Sequence, residues 1–190
     1  MEDFNRRAHL IRKASGTSDL EVAMRKAVKV LSAKGIPHLI SGGMAVQERG
    51  YPRSTIDVDI IVPNIRVALQ ELLKAGFTQS KDSPNVALDE VTQVEIDLLP
   101  GGKRVLPDTP LPLPLPTNVN DEPQIVLLDS LIDIKLSAGR AKDFADVVQL
   151  IKANSLQRNY HTNRVVQDEY YEAWDMATAE QAAEGLMGEY

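Results

Sequence analysis

Between Ser18 and Lys34 the apolar residues Leu20, Met24, Ala27, Val28 and Leu31 recur at helical spacing and form one stripe. Ser18 and Glu21 stand three apart in the capping-box pattern, and Gly35 follows the last periodic position, so a helix is expected over 18–34. The pattern then changes period. Ile36–Ile40 reads as a short strand, Ser41-Gly42-Gly43 as a turn, and Met44–Arg49 as a short helix. After the loop Gly50–Arg53, Thr55–Val62 alternates and is rich in β-branched residues, which marks a strand. Asn64 is placed to cap a helix ending near Gly76, and Val91–Leu99 alternates again as a third strand. Leu106–Thr117 holds five prolines, which bars it from a central strand. It reads as an extended segment, either a rigid connector or a partner-binding proline motif. A helical region is expected from Pro123 to Asn154, with Gly139 as a point of division, and a last helix over 165–185.

This order predicts a small mixed α/β (α+β) sheet flanked by helices, with a helical C-terminal part. The expected organisation is one domain over 1–154, with the proline-rich connector inside it, followed by an acidic helical tail over 155–190. The 190 residues, 43% hydrophobic and 25% charged, suit a globular chain. No apolar run reaches the ~18 residues of a membrane helix, and the basic first thirty residues lack a signal-peptide core, so no membrane partner and a cytoplasmic location are expected. Cysteine is absent and the three histidines, His9, His38 and His161, are scattered. Disulfides, thiolate catalysis and a histidine zinc site are thereby excluded or disfavoured. Any metal must be held by carboxylates, which points to Mg²⁺ or Mn²⁺.

The net charge of −6 hides an asymmetry. Residues 1–36 hold eight Lys/Arg against four Asp/Glu, whereas the 26 residues from Val165 hold seven acids and no Lys or Arg. Two readings stand: solvated basic and acidic faces, or a basic N-terminal face that guides a polyanion.

The chemistry concentrates on carboxylates. In Asp57-Val58-Asp59-Ile60 the two acids share one strand face, while Ile56, Val58 and Ile60 point the other way. Adjacent acids repel, and a bridging divalent cation would remove that cost. In Val94-Glu95-Ile96-Asp97-Leu98 the acids again face away from the apolar residues. If the two strands pair, Asp97 joins Asp57 and Asp59 in a three-carboxylate site of the two-metal type; otherwise Glu95 and Asp97 face water. Gly42-Gly43 permits close backbone approach to a ligand such as phosphate. On an unbroken helix Lys135, Gly139, Lys142 and Asp146 would share a polar stripe, which serves either phosphate binding or a plain Lys142–Asp146 pair. Arg53 is read either as a phosphate contact or as a partner of Asp57 or Glu48. Tyr51, Tyr170, Tyr171, Trp174 and His38 are read as packing residues.

Taken together, Ser41-Gly42-Gly43-Met44-Ala45, then Asp57-Val58-Asp59 with thirteen residues between Gly43 and Asp57, and a later strand acid resemble the DNA polymerase β-like nucleotidyltransferase superfamily. Arg53-Ser54-Thr55-Ile56-Asp57, Leu131-Ile132-Asp133-Ile134-Lys135-Leu136 and Arg140-Ala141-Lys142-Asp143-Phe144-Ala145-Asp146-Val147 are similar to motifs of the bacterial abortive-infection (type IV toxin–antitoxin) members. The resemblance spans Ile36 to Ile151. It implies transfer of a nucleoside monophosphate from a nucleoside triphosphate to a hydroxyl of RNA or protein, and an antitoxin protein as partner. Antibiotic adenylylation, or a catalytically silent nucleotide-binding member, are the alternatives. By the same resemblance Ser41, Gly42, Gly43, Arg53, Lys135 and Lys142 would bind the nucleotide. Asp57, Asp59 and Asp97 would hold Mg²⁺, and Asp97 would also take the proton of the attacking hydroxyl.

Overall fold

The computed structural model describes residues 18–81, 83–160 and 163–187. Arg6, Arg7, Arg12 and Lys13, which supply half of the basic residues before position 37, lie outside this range. Helix α1 (Asp19–Ala33) starts where the sequence places it: the Ser18 hydroxyl accepts from the Glu21 backbone N–H at 3.1 Å. The Glu21 carboxylate does not close the expected box but accepts from Arg25 Nε at 3.0 Å.

Five strands form one sheet in the order β1-β2-β5-β4-β3: β1 (Leu39–Ile40), β2 (Asp57–Val62), β3 (Thr78–Gln79), β4 (Val86–Asp89) and β5 (Val94–Pro100). Strands β2 and β5 are parallel, and the other pairs are antiparallel. Each of the three expected strands is present but starts later than the pattern indicated, for a local reason. Ile36 spends its N–H on Leu31 O at 2.9 Å, closing the end of α1, and Pro37 has no N–H to give a ladder. Ile56 is 85% exposed and stands outside β2 rather than in a core. Residues 90–93 are the turn of a β4–β5 hairpin, in which the Gln93 N–H reaches Asp89 O at 2.7 Å. The hairpin strand β4 and the two-residue β3 are additions to the pattern.

Helix α2 (Gly42–Glu48) follows β1, and α3 (Ile65–Lys74) follows β2 with Asn64 Oδ1 accepting from the Val67 N–H at 3.2 Å. The C-terminal part holds α4 (Leu128–Ala138), α5 (Ala141–Ala153), a 3₁₀ turn (Arg164–Val166) and α6 (Gln167–Met187). Gly139 separates α4 from α5 with φ +64°, a left-handed conformation that stops the helix. The proline-rich segment carries neither helix nor strand. It is pinned beside β5 by the Leu113 N–H to Lys103 O (2.9 Å) and the Gly102 N–H to Leu113 O (3.0 Å).

The two sheet faces bury different partners. Val58, Ile60, Val62, Ile96 and Leu98 pack on α1 and α3. Ile61 packs on the opposite side with residues of α2, α4, α5 and α6, including Tyr170, Ala173 and Ala177. The mixed sheet flanked by helices, with a helical C-terminal part, is therefore the architecture the pattern predicted. Charges on its flanks are paired: Arg25 with Glu21 and Glu122, Lys26 with Asp89, Lys34 with Glu71, Lys152 with Glu180 and Glu184. Among the described residues no helix is long and apolar enough to cross a membrane.

Candidate active site

Parallel pairing of β2 with β5 sets Asp57 opposite Glu95 and Asp59 opposite Asp97. The pleat then directs all four acids to the face away from Val58, Ile60, Ile96 and Leu98. Glu95 is exposed and accepts from Ser80 Oγ at 2.9 Å. Asp57, Asp59 and Asp97 are half-buried, and Asp57 Oδ1 accepts from Thr55 Oγ1 at 2.9 Å. Burial, and then the charges of Asp57 and Asp97, push the Asp59 carboxyl up to about 6; Lys135 and Arg140 pull weakly the other way. Burial, followed by Asp57 and Glu95, holds Asp97 above the ordinary carboxylate range.

Asp59 presses against the turn after β1. A Cβ built on Gly42 would lie 1.7 Å from Asp59 Oδ2, and Gly42 has φ +59°, so both space and backbone demand glycine. The Ser41 N–H donates to Asp59 O at 2.9 Å and locks the turn to β2. Gly43 instead backs onto Thr55 and Arg53, where a Cβ would come within 2.4 Å of Thr55 Oγ1.

Asp59 and Asp97 open into a cleft of about 450 Å³ that Ser41, Gly42, Lys135 and Arg140 also line. One wall is apolar and comes from the loop after β5: Val105, Leu106, Leu111 and Leu113. The loop adds apolar surface to the lining, so a ligand here meets both charge and apolar contact.

The cations are arranged differently from the expected helical stripe, because Gly139 breaks the helix that stripe required. Lys135 is 4% exposed, with Nζ 2.9 Å from Asp143 Oδ1 and 2.7 Å from Asp146 Oδ2. Arg53 Nε lies 2.9 Å from Asp146 Oδ1, so its partner is neither Asp57 nor Glu48. Arg140 pairs with Asp143. Although burial alone would raise it, hydrogen bonds from Arg140 and Lys135 hold the Asp143 carboxyl below the usual range. The result is an alternating chain, Arg53–Asp146–Lys135–Asp143–Arg140, joining the loop before β2 to the α4–α5 turn. Lys142 is exposed and lies off the cleft lining, as do Arg53, Gly43 and Asp57. Arg140 and Asp143 were missed as site residues. Their signal was the spacing Arg140-x-x-Asp143 directly after a helix-stopping glycine, which folds both back toward Lys135.

The carboxylate donors match a hard divalent cation in kind, and Asp59 carries the burial and repulsion that a cation would relieve. As the side chains stand, no three or more His, Asp or Glu among the described residues close around one point. The fit is therefore one of donor chemistry, not of a ready cage.

No family model and no curated protein matches this chain. Among solved structures it is similar to the solution structure of the antibiotic-resistance factor ANT(2'')-Ia, at TM-score 0.38 and 15% identity, covering 85% of this chain and 83% of that one.

Proposed function

We propose that this chain is a magnesium-dependent nucleotidyltransferase that moves a nucleoside monophosphate from a nucleoside triphosphate to a hydroxyl of RNA or protein. The supporting observation is the β2–β5 register, which sets Asp97 beside Asp59, with Asp57 two residues away on the same face, at the mouth of a cleft backed by Gly42.

Asp57, Asp59 and Asp97 would hold Mg²⁺ or Mn²⁺. When bound, the metal supplies positive charge against the triphosphate and the departing pyrophosphate. The chain's own residues do the rest. Gly42 and Ser41 shape the floor on which the triphosphate would lie. Lys135 and Arg140 add cationic groups to the cleft lining, both already held by Asp143. Asp97, made more basic by burial and by Asp57 and Glu95, would take the proton from the attacking hydroxyl. The apolar wall from Val105 to Leu113 would exclude water from the transfer. The same reading sets the enzyme in a toxin–antitoxin or stress system, with an antitoxin protein as partner.

The test is incubation with each radiolabelled triphosphate, magnesium and total RNA, resolved on a gel that separates RNA from protein. Magnesium-dependent label on RNA or protein, lost in Asp97→Asn, is the expected result. Label appearing only on an added aminoglycoside or lincosamide would select the antibiotic-modifying alternative. Nucleotide binding without transfer to any acceptor would select a silent member of the fold.

A further inference from the structure

The lining of the acid-bearing cleft changes character along the sheet. In the order β1-β2-β5, Asp59 stands on β2 against Gly42, and Asp97 stands on β5. Leu99 follows Asp97 by two residues on the same pleat face, roughly 7 Å further along the strand, and also lines the cleft. The connector that leaves β5 adds Val105, Leu106, Leu111, Pro112 and Leu113 to the lining. This apolar part is therefore built from the strand that carries Asp97 and from the loop that follows it.

The hydroxyls beside it already bond within the chain. The Leu111 N–H donates to Ser137 Oγ at 3.2 Å, and Thr109 Oγ1 donates to Leu106 O at 2.8 Å. Lys135 and Arg140, the two cations of the lining, are each paired with Asp143. Among the described residues the lining holds no Phe, Tyr or Trp. RNA strands are held by cations along the phosphates and by aromatic side chains stacked on the bases. This lining offers neither an aromatic ring nor an unpaired cation; what it offers is aliphatic surface. Val105 and Leu106, adjacent in the chain and both lining the cleft, are 47% and 56% exposed, so part of that surface is covered by nothing in the described chain.

We propose that the acceptor is an apolar polypeptide segment that packs on Val105 and Leu106 and presents a side-chain hydroxyl to Asp97. The inference rests on the transfer reading above and names its acceptor. In the step, the hydroxyl oxygen bonds to the α-phosphorus of the triphosphate. The bond from that phosphorus to the oxygen bridging it to the β-phosphate breaks, and pyrophosphate leaves with the electron pair. Asp97 takes the hydroxyl proton. Apolar residues beside the hydroxyl gain by burial on this wall, whereas amide side chains lose hydration there.

The experiment uses the full chain, magnesium, each radiolabelled triphosphate and three acceptors. These are acetyl-Gly-Leu-Tyr-Leu-Gly-amide, the same peptide with both leucines replaced by asparagine, and total RNA. Both peptides are also made with serine in place of tyrosine. The expected result is label on a leucine peptide, with kcat/KM about tenfold above its asparagine counterpart, and none on RNA. Leu106→Ser, a change at an exposed position, should raise the peptide KM about tenfold and leave nucleotide affinity, measured by calorimetry, within about twofold. Val105→Asn should do the same. Label on RNA in place of peptide overturns this proposal and leaves the transfer reading standing. Equal labelling of the leucine and asparagine peptides also overturns it. So does a loss of nucleotide affinity in Leu106→Ser as large as the rise in peptide KM, which would assign the wall to the nucleotide. Nucleotide that binds but passes to no acceptor overturns both readings.

Discussion

Two groups of acids border one cleft, each through only some of its members, and their surroundings treat them in opposite ways. Asp143 and Asp146 are the more deeply buried, yet each touches two cations, and the Asp143 carboxyl is held below its ordinary range. Asp57, Asp59 and Asp97 are less buried, yet they share one face of paired strands, and burial followed by the charges of Asp57 and Asp97 raises Asp59 to about 6. The difference locates two kinds of work. Cations supplied by the chain complete the first group, which joins the loop before β2 to α4 and α5. Among the described residues no ion pair completes the second group, and Lys135 and Arg140 offset the repulsion at Asp59 only in part, which is where a metal-bearing substrate would act.

Breaking the paired group has the largest expected effect. Asp146→Asn removes the anion between Lys135 and Arg53 and leaves Lys135 with a single carboxylate in a buried site. Removing one partner of a buried pair typically costs ~3–5 kcal/mol. Chemical denaturation should show a loss of that size. A change below ~1 kcal/mol would mean that water reaches Lys135 and the group is not a structural clamp.

The unpaired group should respond with the opposite sign. Asp59→Asn removes one of three repelling charges and is expected to stabilise the metal-free protein at pH 8 by up to ~3 kcal/mol, from a carboxyl raised by about two pH units. The folded pKa, about 6, exceeds the ordinary value of 3.8, so the folded state binds more protons between those values. The wild-type protein therefore loses stability relative to Asp59→Asn as pH rises from about 4 through 6, and the two converge below 4. Asp143, with a lowered carboxyl, works in reverse: its contribution is present above the unfolded pKa and fades as pH falls through the folded one. Parallel denaturation curves of the two proteins across pH 3–8 check this, and identical curves would show that Asp59 is solvated.

A smaller effect sharpens the same contrast. Magnesium at ten times its dissociation constant should stabilise the wild-type protein by ~1.4 kcal/mol, seen as a rise in the thermal midpoint. Asp59→Asn should lose most of that rise, while Arg140→Ala, altered in the paired group, should keep it. A rise retained in Asp59→Asn would place the cation elsewhere.

How much of this was legible in the sequence varies with what decides each element. Period-2 alternation fixed the faces of β2 and β5, because an acid and a valine cannot exchange sides of a pleat without moving the core. The alternation could not choose a partner strand, so Asp97 joined Asp59 only conditionally until the pairing was known. Strand starts were displaced because hydrogen bonds of turns, such as Ile36 to Leu31, claim residues that alternation alone assigns to strands. The short β3 and β4 are held by pairing rather than by any pattern of their own. The cation chain was illegible for a different reason. Apart from Arg140 and Asp143, three positions apart, its partners lie 8, 11 and 93 positions apart, and grouping Lys135 with Lys142 on one helical face required a helix that Gly139 ends.

Lys142 provides the finest test of that last point. On an unbroken helix it would flank Lys135 and face the triphosphate. With the left-handed turn at Gly139, α5 starts afresh, and the second residue of the new helix is exposed while Asp143 and Asp146 turn inward. Arg140, not Lys142, takes the place at the cleft wall. Lys142→Ala should therefore change stability by less than ~0.5 kcal/mol, the usual range for an exposed position. It should also leave nucleotide affinity, measured by calorimetry with magnesium, within about twofold, since only a weak long-range attraction through water is lost. Arg140→Ala, measured beside it, should weaken affinity severalfold more, because its guanidinium borders the space the triphosphate would fill. Equal losses from the two variants would mean that α5 extends back through Gly139 when nucleotide binds, restoring the polar stripe and moving Lys142 into the cleft.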